Sequence, residues 1–258
     1  MKYSPEAEEN LEKLNNYIPS TAEATVRLIK RENQECRGLE VWREQQLISF
    51  LKCIVETAAD LDHAFRRRRI STVAWLTRNL LELSIWTRYC NLSNEKAKAF
   101  RDDAIKDFYG IYRALEALPS LEAQHRKSYF AELAQSTLGN HEAAVEISAM
   151  GLILDDALAQ LEPSSIRQQL SELAEGTGLP DSSVNFTKIH VAALEVGCAD
   201  FFSKQNKILS KFAHPSALSV MSKLHTDDLG LDMFLNDGTE LAVLGVCSII
   251  QFISKKPS

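Results

Sequence analysis

The sequence predicts an all-α fold, a multi-helix bundle with long N-terminal and central helices. Three observations lead there: apolar residues recur at helical spacing along most of the chain, no alternating stretch is long enough for a strand, and only ten Gly and seven Pro punctuate 258 residues. A hydrophobic content of 45% and a charged content of 25% are those of an ordinary globular protein. The length suits one large helical domain or two small ones, and a single helical domain over residues 1–258 is expected. A net charge of −6 and a pI near 5.6 argue against broad polyanion binding, leaving a local basic patch as the route to nucleic acid.

The elements follow in order. Ser4-Pro5-Glu6 opens a short helix, with Ser as N-cap and Pro in the first turn, and Pro19 is expected to end it. Ser20 and Thr21 then cap a long helix over about residues 22–64, with a break at Gly38. Its apolar positions Val26, Ile29, Leu39, Trp42, Leu47, Phe50, Ile54 and Ala58 are spaced for one face. The run Arg66-Arg67-Arg68-Arg69 precedes the central helix, Thr72–Cys90. Asn91 to Asn94 is a polar joint. Further helices are expected over about 95–118, 120–137 and 141–161, before the loop Gly176-Thr177-Gly178-Leu179-Pro180. The least periodic region, 119–180, reads as a helical insertion or lid. A single helix then runs over about 184–213, its apolar arc holding Val191, Leu194, Cys198, Phe201, Phe202, Ile208, Leu209 and Phe212.

Asp237-Gly238-Thr239-Glu240 is expected to open the last helix, Leu241–Ile253, which carries no charge. Its 13 residues fall short of the roughly 20 that span a bilayer, so core burial is the first reading, a dimer interface the second, and no membrane is expected. The N-terminus is polar from Lys2 onward and shows no signal-peptide pattern, which implies a cytoplasmic protein. Cys36, Cys53, Cys90, Cys198 and Cys247 are scattered, odd in number and without a Cys-x-x-Cys pair. They read as buried reduced thiols, not zinc ligands.

The central helix carries the main candidate site. At about 100° per residue, Trp75, Leu76, Leu80, Leu83, Trp86 and Cys90 share a broad face, and Thr77, Ser84 and Arg88 lie opposite. Asn79 and Glu82 fall inside the apolar arc, bracketed by Trp75 and Trp86. Arg78 precedes Glu82 by four residues, the spacing at which the two side chains meet. A carboxylate among tryptophans must be paired or protonated, so a buried polar cluster is expected.

A second polar line runs through Asn206, Ser210 and His214 at i, i+4 intervals. Pro215 biases His214 out of the helix. His214 then either turns inward to meet Glu82 or Arg78, a pairing suited to general acid/base work, or joins Ser216 in satisfying backbone groups at the helix end. Arg66 to Arg69 either contact phosphates or form a solvated junction answered by Asp60 and Asp62. His225, Asp227 and Asp228 are metal-ligand types at a spacing that fits a capping turn better than a metal motif. No Gly-rich phosphate loop, nucleophile elbow or Cys/His cluster is present in the sequence, and neither metal nor cofactor is expected.

Arg78 with Glu82, followed far downstream by Leu209-Ser210 and His214-Pro215-Ser216, resembles an uncharacterised bacterial family of all-helical proteins. That family is loosely similar to the HEPN superfamily, some members of which are metal-independent RNases or toxin components. The resemblance spans about residues 40–220. HEPN RNases place an Arg a few residues before the catalytic His, where this chain has Lys207 or Asn206. The resemblance therefore implies His214 as acid or base, Lys207 and Arg78 as cationic stabilisers, and Ser210 or Asn206 as orienting groups. The leading reading is a binding or regulatory module built on an Arg78, Glu82 and His214 cluster, with Asn79, Trp75, Trp86 and Ser216 around it, and the resemblance implies a role in bacterial stress or defence. The alternatives are a metal-independent RNase that reaches RNA through Arg66–Arg69, and a scaffold that homo-oligomerises through Trp42, the long N-terminal helix and the last helix.

Overall fold

The computed structural model describes residues 3–34, 40–101, 188–213 and 228–255. The chain divides into two compact units, Met1–Ala97 with Lys188–Ser258, and Lys98–Thr187. The helices described below belong to the first unit. It is an all-α, multi-helix bundle, with no strand among the described residues. The segment 119–180, assigned above to an insertion or lid, lies outside the described residues.

Helix α1 (Pro5–Glu12) begins as its sequence demands: the Ser4 hydroxyl accepts the Ala7 N–H at 3.1 Å and Pro5 occupies the first turn. Pro19 does not end it. The chain passes through a π-helical turn, Lys13–Tyr17, into α2 (Ile18–Gln34), which contains Pro19. A proline clashes with the carbonyl four residues back in a regular α-helix, and a widened turn just before it relieves that crowding. The Ile18 N–H reaches back five residues to the Lys13 carbonyl, and the Asn15 side-chain amide donates to the Leu11 carbonyl at 2.8 Å. The buried stripe Leu11, Leu14, Ile18, Ala22, Ile29 runs unbroken through the joint.

The expected break near Gly38 separates α2 from α3 (Val41–Arg66). Helix α3 buries Leu47, Phe50, Leu51, Ile54, Ala58 and Leu61 along one stripe. It closes with Arg68 in the left-handed region (φ 55°), the Arg69 N–H bonding the Ala64 carbonyl and the Arg68 N–H the Phe65 carbonyl. Arg66 is thus the last residue of α3, and Arg67–Arg69 form the connection to the next helix. Arg66 is tied to Asp62 at 2.9 Å, as the solvated-junction reading has it.

Helix α4 (Ile70–Cys90) corrects the one-face expectation, because it is buried on nearly every side, packed by α3 and by the three later helices. Thr77, Ser84 and Thr87 are inside, their hydroxyls satisfied by the Phe234, Leu81 and Leu83 carbonyls at 2.9, 2.9 and 2.7 Å. Trp75, expected in the core, is 48% exposed. After α4, Ser93 accepts the Lys96 N–H and a further helix starts.

The single helix expected over 184–213 is two: α5 (Ile189–Glu195) and α6 (Ala199–Ala213). Gly197 at φ 73° makes the break, with the Cys198 N–H on the Ala193 carbonyl and the Gly197 N–H on the Leu194 carbonyl. The break resets the helical phase. Phe202 and Leu209 are buried as expected, whereas Val191, Leu194, Phe201 and Ile208 are exposed. Cys90 is buried as foreseen, but Cys53 is exposed.

Helix α7 (Asp228–Ser254) is twice the expected length and runs straight through Gly238. Glycine here is a fitting residue, not a helix start. A β-carbon on Gly238 would lie 2.5 Å from Leu61 Cδ2 and 3.0 Å from Thr77 Oγ1, and one on Gly245 would lie 2.7 Å from Ile54 Cδ1. These two glycines let α7 sit against both α3 and α4. The stretch Gly230–Ser254, whose most apolar 18 residues have mean hydropathy 1.4, is long and apolar enough to cross a membrane by length and composition, against the expected run of 13 residues; half of those 18 residues are buried inside the bundle.

Gly238→Val should cost roughly 2 kcal/mol in urea denaturation, because overpacking of 1–3 kcal/mol outweighs the gain in helix propensity. Combined with Leu61→Ala, which opens the space the new side chain needs, the total loss should be smaller than the sum of the two single losses. Purely additive losses in the double variant would exclude a steric origin.

Candidate binding groove

Arg78 and Glu82 do meet: Arg78 Nη2 lies 3.1 Å from Glu82 Oε1. They are not a buried cluster. Their side chains are 27% and 32% exposed, and with Trp75, Asn79, Leu83 and Trp86 they form the least buried stripe of α4. Trp86 packs edge-on to Tyr89 at 5.7 Å. On α6, the Ser210 hydroxyl donates to the Asn206 carbonyl at 2.5 Å and lies 3.4 Å from its Oδ1, while Lys207 is exposed. His214 and Ser216 lie outside the described residues, as do His225 and Asp227. Of the arginine run, Arg66, Arg67 and Arg69 are exposed. Among the described residues no group of three or more His, Cys, Asp or Glu is placed to hold a metal ion.

The buried polar cluster of this unit is elsewhere, around Arg43. Its side chain is 1% exposed, on the same α3 stripe as Leu47, Phe50 and Ile54. Nη2 donates to the Cys90 carbonyl at 2.6 Å and to Asn91 Oδ1 at 3.0 Å, Nη1 donates to Gln46 Oε1, and the guanidinium lies 4.7 Å from the centre of the Phe252 ring. Asn91 passes its amide on to the Ser248 carbonyl and hydroxyl, both at 3.1 Å, and Gln46 donates to the Ala97 carbonyl at 3.0 Å. One side chain thus ties α3, the end of α4 and α7 together. Its positive charge faces the negative end of the α4 dipole and an aromatic face in place of a carboxylate. Burial holds the Arg43 pKa below its ordinary value and pushes the Cys90 thiol up to about 12, so Cys90 stays protonated at neutral pH. The signal was present in the sequence: Arg43 stands four residues before Leu47 and seven before Phe50, in phase with the apolar stripe.

The cavity that could take a ligand lies apart from both clusters. It is an open groove of about 1150 Å3 between the α1, π-turn and α2 segment on one side and the middle of α7 on the other. Glu9, Glu12, Lys13, Tyr17 and Glu23 line the first wall, and Asn236, Glu240, Val243 and Leu244 the second. At its floor the buried Asn10 amide donates to Asn236 Oδ1 at 3.3 Å, crossing from one wall to the other. Lys13 is held by Glu9 at 2.7 Å, which keeps the Glu9 carboxyl below its ordinary pKa through the hydrogen bond and the lysine charge. Glu23 is held by Arg27 at 2.7 Å. Glu12 and Glu240 have no ion-pair partner among the described residues. Tyr17 and Leu244 are each 51% exposed on the groove. Just beside it on α7, burial, together with the Glu240 charge, raises the Asp237 pKa, and a Gln205 hydrogen bond opposes the rise.

No family model matches the chain, and neither a curated protein nor a solved structure matches it.

Two sets of variants test these placements. Arg43→Met keeps most of the volume but strips the Cys90 carbonyl, Asn91 and Gln46 of their donor, and should cost about 1–3 kcal/mol. Arg43→Ala adds a cavity and should cost more. The Arg78/Glu82 double-mutant cycle should give a coupling of only about 0.2–1 kcal/mol, the range of solvent-exposed pairs. A coupling of several kcal/mol would restore the buried-cluster reading.

For Asp237 the sign follows from its raised pKa. The native state holds the proton more tightly than the unfolded chain, so this contribution is fully present below the ordinary carboxylate pKa. It is lost as pH rises through that value to the raised one. Asp237→Asn should therefore raise Tm at pH 7 and give no such gain near pH 3. A lower Tm at pH 7 would mean that the Gln205 hydrogen bond outweighs burial.

Proposed function

We propose that this chain is a cytoplasmic helical binding module, and that its partner site is the groove between the α1, π-turn and α2 segment and α7. The observation that carries this reading is the groove itself. It is concave, about 1150 Å3 in volume, and floored by the Asn10–Asn236 amide pair, which joins helices 226 residues apart in sequence. It also leaves Tyr17 and Leu244 half exposed where a ligand would cover them. The groove is open to solvent and not an enclosed cleft that would bury most of a small ligand, which favours a polypeptide segment over a metabolite. The π-turn supports the same reading. Such turns interrupt regular hydrogen bonding and are frequent at functional sites, and this one supplies Lys13 and Tyr17 to the wall.

Selection from a peptide display library unbiased in charge tests the proposal. The recovered peptides should lose about tenfold in affinity against Tyr17→Ala or Leu244→Ala, both of which truncate exposed side chains and leave the core intact. Peptides that bind both variants as well as the parent would place the binding surface elsewhere and sink the reading.

A further inference from the structure

We infer that the groove takes a basic amphipathic peptide segment of a partner protein, presenting Lys or Arg to Glu12 and Glu240 and an apolar side chain to Tyr17 and Leu244. This rests on the binding-module reading above and deepens it by fixing the chemistry of the partner.

The argument is charge complementarity read together with exposure. Four glutamates line the groove against one lysine. Lys13 is spent on Glu9, and Glu23 on Arg27. The carboxylates of Glu12 and Glu240, one on each wall, remain to receive cations from outside. Glu240 already makes its field felt across one helical turn, contributing to the raised pKa of Asp237. A cation docking between the walls would relieve that like-charge crowding on α7. A phosphate backbone or an anionic lipid surface meets the opposite sign and is disfavoured. A bare polyamine would satisfy the carboxylates but leave Tyr17 and Leu244 uncovered. Only a segment that carries both cations and an apolar anchor meets all four residues. Rim charges of this kind set the rate of association and the discrimination between partners more than the total affinity, which the apolar anchor supplies.

The test uses the full chain and three synthetic peptides of one amphipathic pattern, with identical apolar residues and with Lys, Gln or Glu at the polar positions. Binding is followed by calorimetry at about 0.15 M salt. The Lys peptide should bind at least tenfold more tightly than the Gln peptide, and the Glu peptide should not bind. The double variant Glu12→Gln/Glu240→Gln should reduce that preference to about twofold. Glu56→Gln/Asp60→Asn, the same charge change on the exposed side of α3, should leave it intact. Leu244→Ala should weaken the Lys peptide about tenfold at unchanged charge, and spermidine should compete only at concentrations far above the peptide. Equal binding of Lys and Gln peptides, still sensitive to Leu244→Ala, would overturn the charge inference and keep the groove as a binding site. Lys-peptide binding that responds equally to both charge variants and not at all to Leu244→Ala would be diffuse attraction to an acidic protein, and would overturn the inference. Peptides from the display selection that map to the groove but are neutral or acidic would overturn it as well. Selected peptides that ignore the groove would instead overturn the reading beneath it.

Discussion

The close seating of α7 against α3 and α4 is the constraint on which the rest of the unit depends. Helix α4 has apolar or back-bonded residues almost all round, so it must be covered on nearly every side. Covering it with a helix as long as α7 requires that the two backbones approach where Gly238 and Gly245 stand, with Ala242 fully buried between them. Side chains from α3, Leu61 and Ile54, fill the space that a β-carbon would have taken. The buried Thr77 hydroxyl, donating to the Phe234 carbonyl, then fixes the register of α4 and α7 with a polar contact that a slip would break. With α7 so placed, its outward side meets α1 and α2, and the groove is what remains between them.

Two arginines complete the arrangement in the same way. Arg43 donates to the Cys90 carbonyl in the last turn of α4, and Arg88 donates at 2.8 Å to the Val196 carbonyl at the end of α5. Each guanidinium thereby meets helix carbonyls that have no partner within their own helix. A buried guanidinium opposite a carboxylate would carry two desolvation costs. Opposite a helix end it carries one, and the dipole and the fork of N–H groups offset it. Asn91 is also the link through which Arg43 reaches Ser248, so the α4 terminus and the last turns of α7 are fixed by one network.

Fold class, the first helix start and one break could be read from the sequence because they rest on local chemistry: the Ser4-Pro5 cap, the break near Gly38 and the apolar stripe of α3 are each contained within a few turns. The residues that misled are those whose meaning is set by neighbours distant in sequence. Pro19 suggested a stop, but a π-turn absorbs it. Gly238 suggested a start, but it is the contact point of three helices. Trp75 suggested a core position by hydrophobicity, yet the polar Thr77 two residues on has the better-buried site because Phe234 offers it an acceptor. The Arg78 and Glu82 spacing correctly implied an ion pair, since i, i+4 geometry is local, but could not reveal its exposure. The groove was not legible at all: Asn10 and Asn236 are 226 positions apart, and neither belongs to a motif.

That separation explains why a binding surface arises at this place. A helix that buries one stripe presents its opposite face to solvent, and two regular helices packed side by side leave only a shallow furrow between those faces. The π-turn departs from this regularity. By adding a residue to the turn ahead of Pro19 it widens the helix locally while Leu11, Leu14 and Ile18 remain buried on the core side. Its outward residues Asn16 and Tyr17 are exposed along the wall, and Asn15, turned to Leu11 and to Asp62 of α3, anchors the widened turn from both sides. The irregularity is held by the Asn15 hydrogen bonds to Leu11 and to Asp62 of α3. The groove is therefore a product of the packing constraint and the π-turn together: α7 sets one wall at a fixed distance, and the widened turn shapes the other.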